Sequence, residues 1–280
     1  MRPYIREPAP VAKIESSFLD ITYLDTLSYQ NTPVHRLDPR VKLIITLLFI
    51  GCVLSFNKYE LSALIPFFIY LAAMVALGNL PVTYLLKKVL LAAPFAVFIG
   101  IFNPLLDRTI LMHLGPIGIS GGWVSFASIM IRFVLTVSAA LILVASTGFN
   151  AVCMTLTKLG VPSAFAVQLL FLYRYIFVLT DEALRMARAR SLRSFDGSGM
   201  GPRIFSYMIG QLLLRTIDRA HRIHLAMQCR GFDGEIRMVR PLKIRAQDIA
   251  FLICCVSLFI LMYRYDIPQW MGYAITEVMR

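Results

Sequence analysis

Five runs of apolar residues constrain this chain more than any other feature. They fall at roughly 41–56, 61–77, 89–106, 122–147 and 247–263. A lipid bilayer is crossed by a helix of about 20 predominantly apolar residues, and several of these runs sit near the lower end of that length. Inside lipid the backbone finds no water, so each run must satisfy its own N–H and C=O groups as a helix. The alternating pattern of a barrel strand is absent. Composition agrees. Of the 280 residues, 58% are hydrophobic and 16% charged, whereas a soluble domain holds about 45–50% and about 25%. A soluble globular fold and a disordered chain are both excluded.

The net charge of +12 then needs a place. Arg36, Arg40 and Lys42 precede the first run, and Lys87 and Lys88 separate the second from the third. Segment 181–245 holds 13 Lys or Arg against six Asp or Glu. The loops 57–60 and 107–121 are nearly balanced. Basic loops stay in the cytoplasm, so a cytoplasmic N-terminus puts every basic segment inside, and five crossings leave the C-terminus outside. This bias also accounts for the basic composition without nucleic-acid binding. The first 20 residues, MRPYIREPAPVAKIESSFLD, contain no apolar core of a signal peptide, so none is expected. The five cysteines, Cys52, Cys153, Cys229, Cys254 and Cys255, form no CxxC pair and suggest neither a disulfide framework nor a zinc site.

The expected architecture is all-α: an integral membrane bundle of about five helices with a cytoplasmic helical domain. Its parts are an N-terminal cytoplasmic segment 1–36, four membrane helices within 37–147, the cytoplasmic domain 148–246, and a last membrane helix with the C-terminus in 247–280. The domain 148–246 is too long for a loop. It reads as a helix from Val161 to Phe195, a break at 197–202 (GSGMGP), and a second helix from Arg203 to Arg230 ended by Gly231.

On the second helix, at about 100° per residue, Arg215, Arg219, Arg222 and Arg230 form one stripe. Ile209, Leu213, Ile217, Ala220 and Met227 form another. Such a helix either lies on anionic lipid or docks a soluble partner. A repeat sharpens the choice. Arg193-Ser194-Phe195-Asp196-Gly197 and Arg230-Gly231-Phe232-Asp233-Gly234 agree at four of five positions. Two similar arginine-bearing helix ends suit a dimeric or pseudo-symmetric partner, since the planar guanidinium fork binds several acceptors at once.

These residues resemble the T component (EcfT) of energy-coupling factor transporters, ATP-driven importers. The resemblance begins at Leu37-Asp38-Pro39-Arg40-Val41-Lys42-Leu43 and continues through two arginine motifs flanked by small residues. Ala189-Arg190-Ser191 fits the first motif directly, and Leu192-Arg193-Ser194 fits it by the internal repeat. The second motif is Cys229-Arg230-Gly231. The stretches Phe102-Asn103-Pro104-Leu105 and Gly115 to Ser120, with the run from Tyr173-Arg174-Tyr175 to Arg193, look closest to the cobalt branch, the CbiQ type.

The resemblance implies a scaffold in a bacterial or archaeal cell membrane that couples two ATP-binding cassette ATPases to a substrate-binding membrane subunit (S component). In the cobalt branch a small accessory membrane protein joins them, and nickel is the next cargo after cobalt. It further implies that Arg230 and one of Arg190 or Arg193 reach the ATPases, with Ala189, Ser191, Ser194, Cys229 and Gly231 as their small neighbours. The chain carries no GxxxxGK[ST] loop, so hydrolysis belongs to another chain. No cofactor or metal is expected on this one.

Three signals compete. Gly118-Ile119-Ser120-Gly121-Gly122 satisfies GxSxG, and Gly118 to Gly121 the GxSG of intramembrane serine proteases. The hydrolase elbow needs a preceding strand, and none is expected; the intramembrane form needs a His within a span, and His35, His113, His221 and His224 all lie outside them. Ser120 then reads as a helix cap. His221 and His224 are spaced to share one helix face, but two ligands make a poor metal site. Arg132 lies in the fourth span and reads either as a contact to another subunit or a lipid phosphate, or as a side chain snorkelling to the interface.

Overall fold

The structure, a computed structural model, describes residues 23–57, 61–106, 110–114, 117–193, 201–234 and 245–264; of residues 105–120 it describes backbone alone. The described elements are α1 (Pro39–Ser55), a 3-10 turn (Ser62–Leu64), α2 (Phe67–Gly78), α3 (Val82–Gly100), α4 (Phe102–Leu106), β1 (Ile110–Leu114), β2 (Ile117–Ser120), α5 (Gly121–Thr147), α6 (Phe149–Lys158), α7 (Ser163–Arg193), α8 (Pro202–Gln228) and α9 (Ala246–Arg264). The protein is a helical membrane bundle, with one antiparallel hairpin among the described residues. The chain forms two compact units, one of Leu27–Gly148 with Leu242–Arg280, the other of Met1–Thr26 with Phe149–Pro241.

Four described helices are long and apolar enough to cross a membrane: Val82–Pro104, Gly121–Thr147, Ser163–Arg193 and Ala246–Arg264. Helix α1 has 17 residues and the apolar stretch Ser62–Gly78 is shorter than a full span. One expectation changes. Lys87 and Lys88 lie inside α3 rather than in a loop before it. They occupy its second turn, where the Lys88 ammonium sits 5.4 Å from the Tyr84 ring centre; an apolar stem lets lysine stay in a helix and still reach an interface. The helix Ser163–Arg193, placed by charge in the cytoplasmic domain, has the length and composition of a span because its first half holds one charge, Arg174.

In the Leu27–Gly148 unit the core is aromatic. Phe49 of α1 lies 4.8 Å from Tyr70 of α2 and 5.6 Å from Phe259 of α9, ring centre to ring centre. Tyr70 and Phe259 complete the triangle at 5.1 Å in an edge-on arrangement. Edge-to-face and offset rings at such spacings are favoured by the ring quadrupole. This triangle packs the last helix onto the first. Against α5, Gly100 of α3 allows close approach: a Cβ there would meet the Phe126 ring at 2.9 Å.

Polar groups are buried at one end of this bundle. Asp38 is the N-cap of α1 and accepts from the Arg40 N–H at 2.9 Å, with Pro39 opening the helix, as helix N-termini favour. Lys42, 3% exposed, donates to the Ser146 carbonyl near the end of α5 at 2.9 Å. Asp248 in the first turn of α9, also 3% exposed, accepts from the Asp38 N–H at 3.0 Å and from the Arg245 N–H at 2.7 Å. The start of α1, the end of α5 and the start of α9 therefore meet. Beside them His35 bridges Leu27 and Thr32. A carbonyl can only accept, so Nε2 donates to Leu27 O at 3.0 Å and Nδ1 accepts from the Thr32 hydroxyl at 2.6 Å. Burial, and then the Lys42 charge, hold the His35 pKa below the ordinary histidine value.

Arg132 resolves differently from both readings of the sequence. Its Nη2 donates to the carbonyls of Phe56 and Asn57 at 2.9 and 2.7 Å. These carbonyls follow the last turn of α1, where a cation meets the negative end of the helix dipole. Helix α1 has no basic residue in its own last turn, so α5 supplies one.

The hairpin corrects a further expectation. Strand β2 takes in Gly118, Ile119 and Ser120 and α5 begins at Gly121, so the GxSxG residues span a strand-to-helix junction. The strands have five and four residues, too short for periodicity to separate strand from loop. The arrangement remains unlike a hydrolase elbow: β2 pairs antiparallel with β1 in a two-stranded sheet, with His113 opposite Gly118.

Candidate functional site

In the second unit, α6 packs on α7 through Phe149 stacked on Tyr173 at 4.6 Å, and Tyr173 meets Phe177 edge-on at 5.1 Å. Further along α7, Leu184 and Ala187 pack with Met208 of α8. Glu182 ties the same two helices. Its carboxylate accepts from Arg215 of α8 at 2.6 Å and from Arg185, three residues on, at 3.1 Å.

The arginine stripe on α8 therefore turns toward α7. Arg215, Arg219 and Arg222 line an open groove with Val178, Leu179 and Glu182. A neighbouring groove holds Ala189, Arg190 and Arg193 beside Arg185 and Arg215. The aliphatic stripe faces the other way. Of that stripe Ile209, Leu213 and Ile217 are exposed, as are Leu214 and Leu225 beside it, and α8 has no buried residue. A helix of this kind is not stabilised by burial on its own.

Both candidate first arginines sit at the end of α7. Arg190 is exposed in the last turn, and Arg193 is its final residue, also exposed. The Ser191 hydroxyl bonds back to the Arg188 carbonyl at 2.8 Å. Ser194 lies outside the described residues, as does the rest of the first Arg-Ser-Phe-Asp-Gly copy.

The second motif ends α8 rather than lying within it. The Gly231 N–H bonds to Gln228 O at 2.9 Å and the Phe232 N–H to Met227 O at 3.1 Å. Gly231 has φ +76. This is a Schellman end, in which glycine takes the left-handed position that an L side chain resists. Cys229 and Arg230 close the last turn and are exposed. Among the described residues, the guanidinium groups of Arg190, Arg193 and Arg230 have no hydrogen-bond or ion-pair partner, whereas Arg185 and Arg215 share Glu182.

Sequence reasoning missed Glu182 and Asp248, and gave Lys42 no partner. Glu182 had one signal, an acidic residue three before Arg185 in a basic segment. Of the helix pair His221 and His224, His224 Nε2 lies 3.0 Å from the Gln228 amide; no cluster of three His, Cys, Asp or Glu that could hold a metal ion occurs among the described residues.

The family model described as CbiQ, cobalt transport protein, matches residues 30–240. An uncharacterized protein of Methanocaldococcus jannaschii is 31% identical over 245 residues, 83% of this chain and 82% of the relative. The energy-coupling factor transporter transmembrane protein EcfT of Leuconostoc gelidum is 28% identical over 251 residues, 82% of this chain and 92% of the relative. A putative ABC transporter ATP-binding protein of Bifidobacterium longum is 28% identical over 236 residues, covering 78% of this chain and 30% of that longer one. With a match over most of its length and several span-length helices, this multi-pass membrane protein belongs to the CbiQ/EcfT family of energy-coupling factor transporter transmembrane components.

Proposed function

We propose that this chain is the non-catalytic coupling subunit of an importer, passing the movement of two separate ATP-binding cassette ATPases to a substrate-binding membrane subunit that carries cobalt or, as the next choice, nickel. One observation carries the reading. Arg190, Arg193 and Arg230 are exposed at helix ends without partners among the described residues. A guanidinium left unpaired in this way is available to acceptors on another protein. The exposed Leu213, Leu214, Ile217 and Leu225 suit an apolar membrane partner, the role of the substrate-binding subunit and its small accessory protein. The relative named as an ATP-binding protein contains a region similar to this chain, which favours an ATPase partner.

The same reading puts the N-terminus and residues 148–246 in the cytoplasm. Its support is that the end of α5 and the start of α9 meet at one end of the bundle. The chain between them must then cross the membrane an even number of times. Helix α7 has the length to cross, but a return span is lacking among the described residues. Helix α8 carries Arg203, Arg215, Asp218, Arg219 and Arg222 and is not apolar enough. Single cysteines at Asn57 and Ser206, in a background without the five native ones, test this; labelling of both from one side would sink the topology.

The coupling role is tested by ATPase co-purification and cobalt uptake for Arg230→Ala combined with Arg190→Ala or with Arg193→Ala. Truncating a buried, hydrogen-bonded interface charge costs on the order of 2–5 kcal/mol, so one of the pairs releases the ATPases or uncouples hydrolysis. Arg203→Ala, at the other end of α8, is the control and costs little. If both pairs keep full assembly and uptake, the basic helix lying on anionic lipid becomes the better account. Ser120→Ala leaves uptake intact; loss of a proteolytic activity instead would revive the protease reading.

A further inference from the structure

We infer that Asp38, Lys42 and Asp248 form a fixed anchor holding both ends of the 149–245 segment to the first membrane helix, and that Gly148 is the joint at which this segment turns. The inference rests on the coupling reading above and adds the place where movement enters the bundle.

The exit is short. Helix α5 ends at Thr147 and α6 begins at Phe149, so Gly148 alone separates them. It has φ +79, and its N–H still bonds to Val144 O at 2.8 Å. A left-handed residue between two helices is a position that few side chains tolerate and where a small dihedral change redirects everything beyond it. Two residues earlier, the Ser146 carbonyl takes the Lys42 ammonium. That ammonium is buried and offset by the neighbouring Asp38 and Asp248 carboxylates. A buried charge gives up its hydrogen bond only at a large cost, because water cannot replace the partner. The exit is therefore stiff up to Ser146 and free at Gly148.

The return is held by the same first turn of α1. One Asp248 oxygen takes the Arg245 N–H where the chain re-enters, and the other takes the Asp38 N–H. Asp38 in turn caps α1. Exit and re-entry are thus tied to the start of α1, the exit through Lys42 and Ser146 and the re-entry through Asp38 and Asp248. Movement of the described helices beyond Gly148 then reaches α5 directly and α1 through Lys42.

The experiment uses the chain assembled with its ATPases and substrate-binding subunit in lipid vesicles. Spin labels at Ala140 and Ser206 report the distance change on ATP binding, and Co²⁺ uptake is divided by ATP hydrolysed. Gly148→Ala is expected to shrink the distance change and to lower uptake per ATP about tenfold, a factor within the usual range of coupling between sites. Gly148→Asn is expected to restore both, because asparagine adopts the left-handed conformation more readily. Lys42→Met is expected to keep hydrolysis and the distance change but to lose uptake per ATP by a similar factor. A purely stabilising Lys42 would instead lose hydrolysis and uptake in proportion, which overturns the anchor. No distance change in the wild type, or a Gly148→Ala variant that matches it, overturns the joint; should Lys42→Met fail to insert, the two Gly148 variants decide. A wild-type chain that binds no ATPase shows that the coupling reading itself has failed, and the inference falls with it.

Discussion

In the membrane bundle, Lys42 and Arg132 end on backbone carbonyls of neighbouring helices, and Asp248 ends on two backbone N–H groups. In the α7–α8 pair, Glu182 holds Arg185 and Arg215 while Arg190 and Arg193 stay exposed, as does Arg230 just beyond α8. The difference teaches where charge is structural. In a low-dielectric bundle an unpaired charge or helix-end carbonyl is costly, and Lys42, Arg132 and Asp248 each have backbone partners within the fold. At a wet surface an unpaired arginine costs little and remains available to another protein. The apolar residues follow the same division. Phe49, Phe67 and Phe259 are fully or nearly fully buried in the bundle, whereas α8 buries nothing.

The comparison can be broken most directly at Phe49. Phe49→Ala removes a ring that touches two other helices, and large-to-small changes of this kind cost about 3–5 kcal/mol. Thermal unfolding in detergent should show this as a marked loss, while Leu213→Ala on α8 leaves unfolding nearly unchanged. Equal losses would mean that α8 is buried after all.

Next comes Arg132. Hydrogen bonds to charged groups contribute about 1.5–3 kcal/mol, so Arg132→Met should destabilise the purified single chain by that order. Loss only in the assembled transporter, with the isolated chain unaffected, would return Arg132 to the role of a subunit contact.

The Glu182 bridge should be weaker. Its Arg215 partner is 60% exposed, and exposed pairs contribute roughly 0–1 kcal/mol. A double-mutant cycle of Glu182→Gln with Arg215→Gln measures it. A coupling well above that range would show a desolvated pair and narrow the contrast between the two units.

The smallest effect is that of pH at His35. Its folded-state pKa is lowered, so the native state favours the neutral ring. Below the ordinary histidine value of about 6.5 the unfolded chain binds the extra proton more readily, so His35 withdraws stability as pH falls through that value. Unfolding of wild type and His35→Gln at neutral and mildly acid pH isolates the effect. An unchanged pH slope in the variant removes it.

Much of this was legible in the residues. Apolar run length placed α1, α5 and α9 to within a few positions, because burial in lipid demands continuous apolar sequence. Gly231 marked the end of α8, because a left-handed helix end is a local demand on one residue. The repeated Arg-x-Phe-Asp-Gly could be read without coordinates as two helix ends, and Arg193 and Gly231 lie at such ends; the coupling motifs themselves came from the resemblance. The hairpin at 110–120 was not, because runs of four or five residues carry too little periodicity to separate strand from loop. Nor could the sequence assign partners. Asp38 and Asp248 are far apart in the chain, and nothing local says that the helix after residue 245 returns to the helix that begins at residue 39. Arg132 announced a charge in a span without naming the α1 carbonyls it caps. Glu182 announced an acid in a basic segment without naming Arg215. Helix ends and most run lengths are written in neighbouring residues, although α3 begins at Val82, seven residues before the run at 89–106. Which charge meets which carbonyl depends on how helices pack, and only the tertiary structure decided it.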